Sequence, residues 1–150
     1  MGLFDSLSIS ASGLTAERLR MDVTAENLAN AQSTRGPDGQ PYRRKAVVLA
    51  STGDDGGFAT ALARAQGRTG AGRSGGGVEV VAIVEDDQPG RRVYDPGHPD
   101  ADEQGYVTMP NVDTVTEMVD LISASRSYEA NVTAMQTAKQ MFGKTLELLK

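Results

Sequence analysis

Residues 111–150 read NVDTVTEMVD LISASRSYEA NVTAMQTAKQ MFGKTLELLK, and from Val112 to Phe142 neither glycine nor proline interrupts them. Leu121, Tyr128, Met135, Phe142 and Leu149 recur every seven residues. Met118, Val132 and Leu146 fall on the neighbouring row, and Ala124 and Ala138 fill close-approach positions. A sevenfold apolar repeat on a helix is a seam that has to meet another helix. At about 1.5 Å per residue such a helix reaches about 50–55 Å, longer than a compact domain of this size is wide. The spacing therefore predicts a helix that projects beyond its own globule. Asn111, directly after Pro110, is expected to cap its start, with Asp113 and Glu117 placing negative charge in the first turn.

The other end of the chain follows the same logic. From Leu3 to Ala31, the residues Leu7, Leu14, Met21 and Leu28 are again seven apart, and Leu3, Ala11 and Ala25 fill the same face. Gly13 inside such a helix costs about 1 kcal/mol relative to alanine, so it marks a bend or a tight contact. One amphipathic helix alone reads as an ordinary helix on a core. Two sevenfold stripes, one at each end, make helix-to-helix pairing the better reading, within the chain or with a neighbouring subunit.

Between the stripes the composition changes. Fourteen of the seventeen glycines and five of the six prolines lie between Gly36 and Gly105. Gly36-Pro37-Asp38-Gly39 signals a turn. Tyr42–Ala50 and Val78–Val84 read as strands, with Arg91–Tyr94 a weaker third. Phe58–Gln66 is read as a short helix, Gly67–Gly77 as a mobile Gly/Arg/Ser/Thr-rich loop, and Asp95–Pro110 as turn-rich and acidic. The expected fold is α+β: an N-terminal helix in 1–35, a small β-rich, Gly-rich insert in 36–110 with a flexible loop near 51–77, and a long C-terminal helix in 111–150. The two terminal helices are expected to build a coiled-coil-like domain, with each other or with those of a neighbouring subunit.

Composition narrows the function. A net charge of −5 speaks against nucleic acid and against anionic lipid surfaces. There is no cysteine, hence no disulfide framework and no thiolate chemistry. No run approaches the roughly 18–20 apolar residues of a membrane span, so direct membrane insertion is not expected. Met1-Gly2-Leu3-Phe4-Asp5-Ser6 lacks the basic start and apolar stretch of a cleaved secretory signal, so export would need another route.

Each trace of site chemistry fails on its context. Gly67-Arg68-Thr69-Gly70-Ala71-Gly72-Arg73-Ser74 has phosphate-loop spacing, but arginine stands where lysine is required and glycines follow where a helix should. Asp100-Ala101-Asp102-Glu103-Gln104-Gly105 imitates the start of a calcium loop, but its twelfth position is Asn111 rather than a bidentate glutamate. His98 is the lone histidine, and Glu85-Asp86-Asp87 sits at a turn, reading as solvated acids rather than a catalytic pair. No catalytic residue, cofactor or metal is expected. Charge is uneven: Arg43, Arg44 and Lys45 cluster, while Glu85 to Asp120 carries ten acids against two arginines. Complementary patches of this kind can set register between subunits.

Several stretches carry a family resemblance. Ala11-Ser12-Gly13-Leu14-Thr15-Ala16 and Asn27-Leu28-Ala29-Asn30 resemble the amino-terminal signature of bacterial flagellar rod and hook axial proteins, with Glu26 where many relatives have a first asparagine. Gly39 to Lys45, Asp95 to Asp102, Gly105 to Val112, Glu117 to Asp120 and Ala124 to Asn131 are similar to the proximal-rod members of that family. Ser51 to Gly77 matches nothing distinctive. The resemblance implies a non-enzymatic structural subunit of the flagellar basal body. It would stack helically into the proximal rod, the torque-transmitting drive shaft that crosses the periplasm.

The resemblance also implies partners: copies of itself, other proximal and distal rod proteins, the adaptor joining rod to membrane ring, and the flagellar type III export apparatus. On this reading the assembly interface comprises Leu7, Leu14, Met21, Asn27, Leu28, Asn30, Met118, Leu121, Tyr128, Val132, Met135, Phe142, Leu146 and Leu149. The ends of an isolated subunit are expected to be poorly ordered before assembly. The competing reading is a non-flagellar coiled-coil adaptor or scaffold.

Overall fold

The computed structural model describes residues 3–36, 39–52 and 76–147. Among the described residues two long helices bracket four short strands, an α+β arrangement. In order these are α1 (Leu3–Ala29), β1 (Lys45–Ser51), β2 (Val78–Glu85), β3 (Arg92–Tyr94), β4 (Tyr106–Thr108) and α2 (Thr114–Glu147). With 34 residues, α2 is about 51 Å long at about 1.5 Å per residue. The helix read for 58–66 and all but the last two residues of the loop read for 67–77 lie outside the described residues.

Local chemistry fixes the element ends. Asp113, not Asn111, caps α2: its carboxylate accepts the Val115 N–H at 3.2 Å and the Thr116 hydroxyl at 2.7 Å. The Thr116 hydroxyl first, and then the Val115 amide, hold the Asp113 carboxyl below its ordinary range. Asn111 is used elsewhere, accepting the Arg44 backbone N–H at 2.8 Å. At the end of α1, Asn30 donates its side-chain amide to the Glu26 carbonyl at 2.9 Å and accepts the Ser33 hydroxyl at 3.2 Å, a local C-terminal cap.

The chain divides into two compact units. The first comprises residues 1–16, 49–81 and 128–150. Within it Phe4 meets Phe142 edge-on, with ring centroids 6.1 Å apart, and a Cβ on Gly13 would lie 3.0 Å from the Asn131 amide. The early residue of α1 meets the late one of α2 and the later residue the earlier, so the two helices run antiparallel. Gly13 is thus a close-approach glycine, one of the two alternatives its sequence position left open. Ser12 receives the Val78 N–H on its hydroxyl at 3.0 Å and donates to the Ile9 carbonyl at 2.8 Å, tying the start of β2 to α1.

The second unit comprises residues 17–48 and 82–127. Here β3 and β4 pair antiparallel with Arg92 opposite Thr108, Val93 opposite Val107 and Tyr94 opposite Tyr106. The Tyr94 and Tyr106 rings pack edge-on at 5.3 Å, and the Arg92 guanidinium lies 4.9 Å from the Tyr106 ring centre. Gly105, at φ 79°, makes the return turn. This places a strand inside 95–110, a stretch whose composition reads as turns throughout.

β1 and β2 form a separate two-stranded sheet. Asp86 donates to the Arg44 carbonyl at one end and Thr52 to the Gly77 carbonyl at the other, each at 2.8 Å, so the strands are antiparallel. β1 begins at Lys45 rather than Tyr42, because the side chains of Tyr42 and Arg44 are engaged by the helices, at Asn27 and Glu117. Buried apolar side chains are few: Ala16, Val23, Val107, Pro110 and Ala124 among the described residues.

Candidate assembly interface

A buried polar node lies in the second unit. Asn27 and Glu117 are each only 1% exposed. Asn27 uses its whole hydrogen-bonding capacity: its amide donates to the Lys45 carbonyl at 2.8 Å and to Glu117 Oε2 at 3.0 Å. Its oxygen accepts the Lys45 N–H and the Tyr42 hydroxyl, both at 2.9 Å. Glu117 Oε1 accepts Arg44 Nε at 2.6 Å, and Arg44 Nη2 stands 3.6 Å from Asp120. Lys45 Nζ adds a 2.6 Å ion pair to Glu26. Burial first, then the charges of Glu26, Glu117 and Glu85, push the Tyr42 phenol up to about 12.

The basic cluster Arg43-Arg44-Lys45 is thereby paired inside the chain. Arg43 reaches Asp87 at 3.3 Å, Arg44 reaches Glu117, and Lys45 reaches Glu26. What the charge pattern suggested as complementarity between subunits operates here between the elements of one subunit.

The acidic loop between β3 and β4 is also committed internally. Asp102 accepts the Tyr106 N–H at 2.8 Å and the Gln104 N–H at 2.9 Å, and pairs with Arg92 at 2.6 Å. The Tyr106 amide above all lowers its carboxyl from the ordinary value. Asp100 accepts the Thr34 hydroxyl at 2.8 Å and lies 3.5 Å from Arg35. His98 Nδ1 accepts the Asp100 N–H at 3.1 Å. These carboxylates hold the loop's own shape, and among the described residues no group of three or more potential ligands could hold a metal ion.

The surface left over is apolar and helical. Val115, Met118, Val119 and Ile122 stand at i, i+3, i+4 and i+7 on α2 and are 67%, 52%, 60% and 55% exposed. At about 100° per residue they lie across the helix from Glu117, Leu121 and Ala124. In the first unit Met141, Phe142 and Leu146 are exposed toward the end of α2, as is Phe4 on α1. An open groove of about 640 Å³ runs beside them, lined by Ser6, Ala130, Thr133, Ala134, Thr137, Ala138 and Met141. The two strands of the β1–β2 sheet expose Val48, Leu49, Val81, Ile83 and Val84.

The residues picked from the sequence fall into three groups. Leu7, Leu14, Met21, Leu28, Leu121, Tyr128, Val132 and Met135 are half-buried; Met118, Phe142 and Leu146 are exposed. Asn27 and Asn30 differ from both: Asn27 makes all four of its side-chain hydrogen bonds inside the chain, and Asn30 holds the end of α1. Leu149 lies outside the described residues. Sequence reasoning missed the exposed face of Val115, Val119 and Ile122, since a search for sevenfold repeats follows one seam. It also missed Glu117 as a buried group.

Comparison with known proteins identifies the family. Residues 7–37 match the family described as flagella basal body rod protein, and residues 103–148 match the C-terminal family described as flagellar basal body rod FlgEFG protein. A Bacillus subtilis flagellar basal-body rod protein FlgC is 51% identical, with both chains covered in full. The FlgC protein of an Escherichia coli O6:H1 strain is 47% identical over 99% of this chain and 98% of its own. That of Aquifex aeolicus is 39% identical over 100% and 99%. Two terminal helices with exposed apolar faces, and identity along the whole chain, place this protein in the FlgC family of flagellar basal-body rod proteins, structural subunits of the bacterial flagellum.

Proposed function

We propose that the chain builds the proximal part of the rod by helical stacking, with no catalytic step, and that its neighbours are copies of itself and other proximal and distal rod proteins. The observation behind this is the apolar face Val115–Met118–Val119–Ile122, which a lone subunit would hold open to water. These side chains are 52–67% exposed, so covering each contributes a part of the about 1.5–3 kcal/mol that complete burial gives. On the same reading the termini, near Phe4 and Phe142, supply a second contact region, and the protein also meets the adaptor between rod and membrane ring. Export through the flagellar type III apparatus completes this reading. A non-flagellar adaptor has no account of the identity to rod proteins along the full chain.

Ile122→Asp tests the reading. The side chain is 55% exposed, so the fold should tolerate the change. The expected outcome is normal expression and secretion of the variant with no rods and no motility. Normal motility would contradict it.

A further inference from the structure

The apolar stripes of α1 and α2 repeat every seven residues, so by themselves they do not choose between alignments that differ by one repeat. A slide that carries Ala124 opposite Asn27 would offer the apolar rows much the same partners. It would also strand a carboxylate and a carboxamide, each 1% exposed in the observed alignment. Glu117 would lose Arg44 Nε at 2.6 Å, and Asn27 would lose Glu117. We propose that the Asn27–Glu117–Arg44 node is a register lock: it admits one of the alignments that the apolar repeat allows.

The lock has a third part, the segment from Tyr42 to Lys45. It fills Asn27 from one side through the Tyr42 hydroxyl and the Lys45 backbone, and fills Glu117 from the other through Arg44. It is itself anchored by Asn111, which accepts the Arg44 N–H at 2.8 Å, and by Asp86, which donates to the Arg44 carbonyl at 2.8 Å. Helix alignment in this unit is thus conditional on a strap that belongs to neither helix. The same principle operates where one buried asparagine sets the register of a coiled coil. Here asparagine, glutamate and arginine come from three different segments.

The absence of cysteine makes the test direct, because introduced thiols are the only ones present. Spin labels on Asp22→Cys and Ser123→Cys, both exposed and both in this unit, report the alignment by pulsed dipolar spectroscopy on the full chain. The parent should give one narrow distance. The Asn27→Leu/Arg44→Met/Glu117→Leu background, which leaves no charge buried, should melt cooperatively and yet show a second population displaced by up to about 10 Å, one repeat. A merely structural node would change the melting temperature and leave a single distance, which overturns the proposal.

Glu117→Gln is the conservative probe. It keeps the side chain's shape and its contact with Asn27 but drops the ion pair, and it should admit a smaller displaced population. If the triple variant does not fold, the Glu117→Gln result alone decides: a single parent-like distance refutes the lock.

Discussion

Arg44 gives its guanidinium to Glu117, a carboxylate that is 1% exposed, whereas the adjacent Arg43 pairs with Asp87, whose side chain is 96% exposed. The two arginines should therefore differ sharply on truncation. Arg44→Ala strands a buried carboxylate and should destabilise by about 3–5 kcal/mol. Arg43→Ala removes a solvent-screened pair and should stay within about 1 kcal/mol. Urea unfolding of the two variants checks this, and equal losses would contradict it. Tyr42 gives a pH signature. Its folded pKa, about 12, lies above its ordinary value of 10.0, so its contribution is fully present below pH 10 and is lost as pH rises through about 12. Absorbance titration should show a late phenolate step that Tyr42→Phe abolishes. Part of this node could be read from the sequence. Glu117, Ala124, Asn131 and Ala138 are seven apart, so the alanine row of α2 carries two polar residues where apolar ones would suit a seam. Their partners could not be read, because Arg44 approaches from 73 residues away.

At the scale of elements, the long helices were legible because a sevenfold apolar spacing sustained over so many turns suits a helix and no strand. β4 was not. Three residues, Tyr106 to Thr108, carry too short an alternation to register, and the strand exists because Tyr94 and Tyr106 pack across the pair and Gly105 turns the chain. The cap of α2 was misplaced by two residues for a related reason: Asn111 and Asp113 are both good caps, and the choice fell to Arg44, which claims Asn111. Within α2, burial is concentrated at Glu117 and Ala124, while every residue from Lys139 to Glu147 is exposed. Amide hydrogen exchange of the isolated subunit should follow that gradient, slowest around Ala124 and fast beyond Lys139. Uniform protection to the end of α2 would show that the last turns are held without a neighbour.

For the molecule as a whole, the small core and the exposed helical faces belong together. With five buried apolar side chains among the described residues, the subunit keeps much of its apolar surface outside. We read a surface of this kind on one chain as an unfinished interface. The sequence pointed to helix faces rather than a reaction centre as the functional feature, because every candidate site lacked a required partner. It could not show which face, since that depends on what α1 and the Tyr42–Lys45 segment have already covered. We propose that a neighbouring rod subunit sits on the Val115–Ile122 face. Imaging of intact basal bodies at side-chain resolution tests it most directly. This chain should be found in the proximal rod with Val115, Met118, Val119 and Ile122 buried against another subunit; the same four side chains facing solvent in the assembled rod would refute that placement.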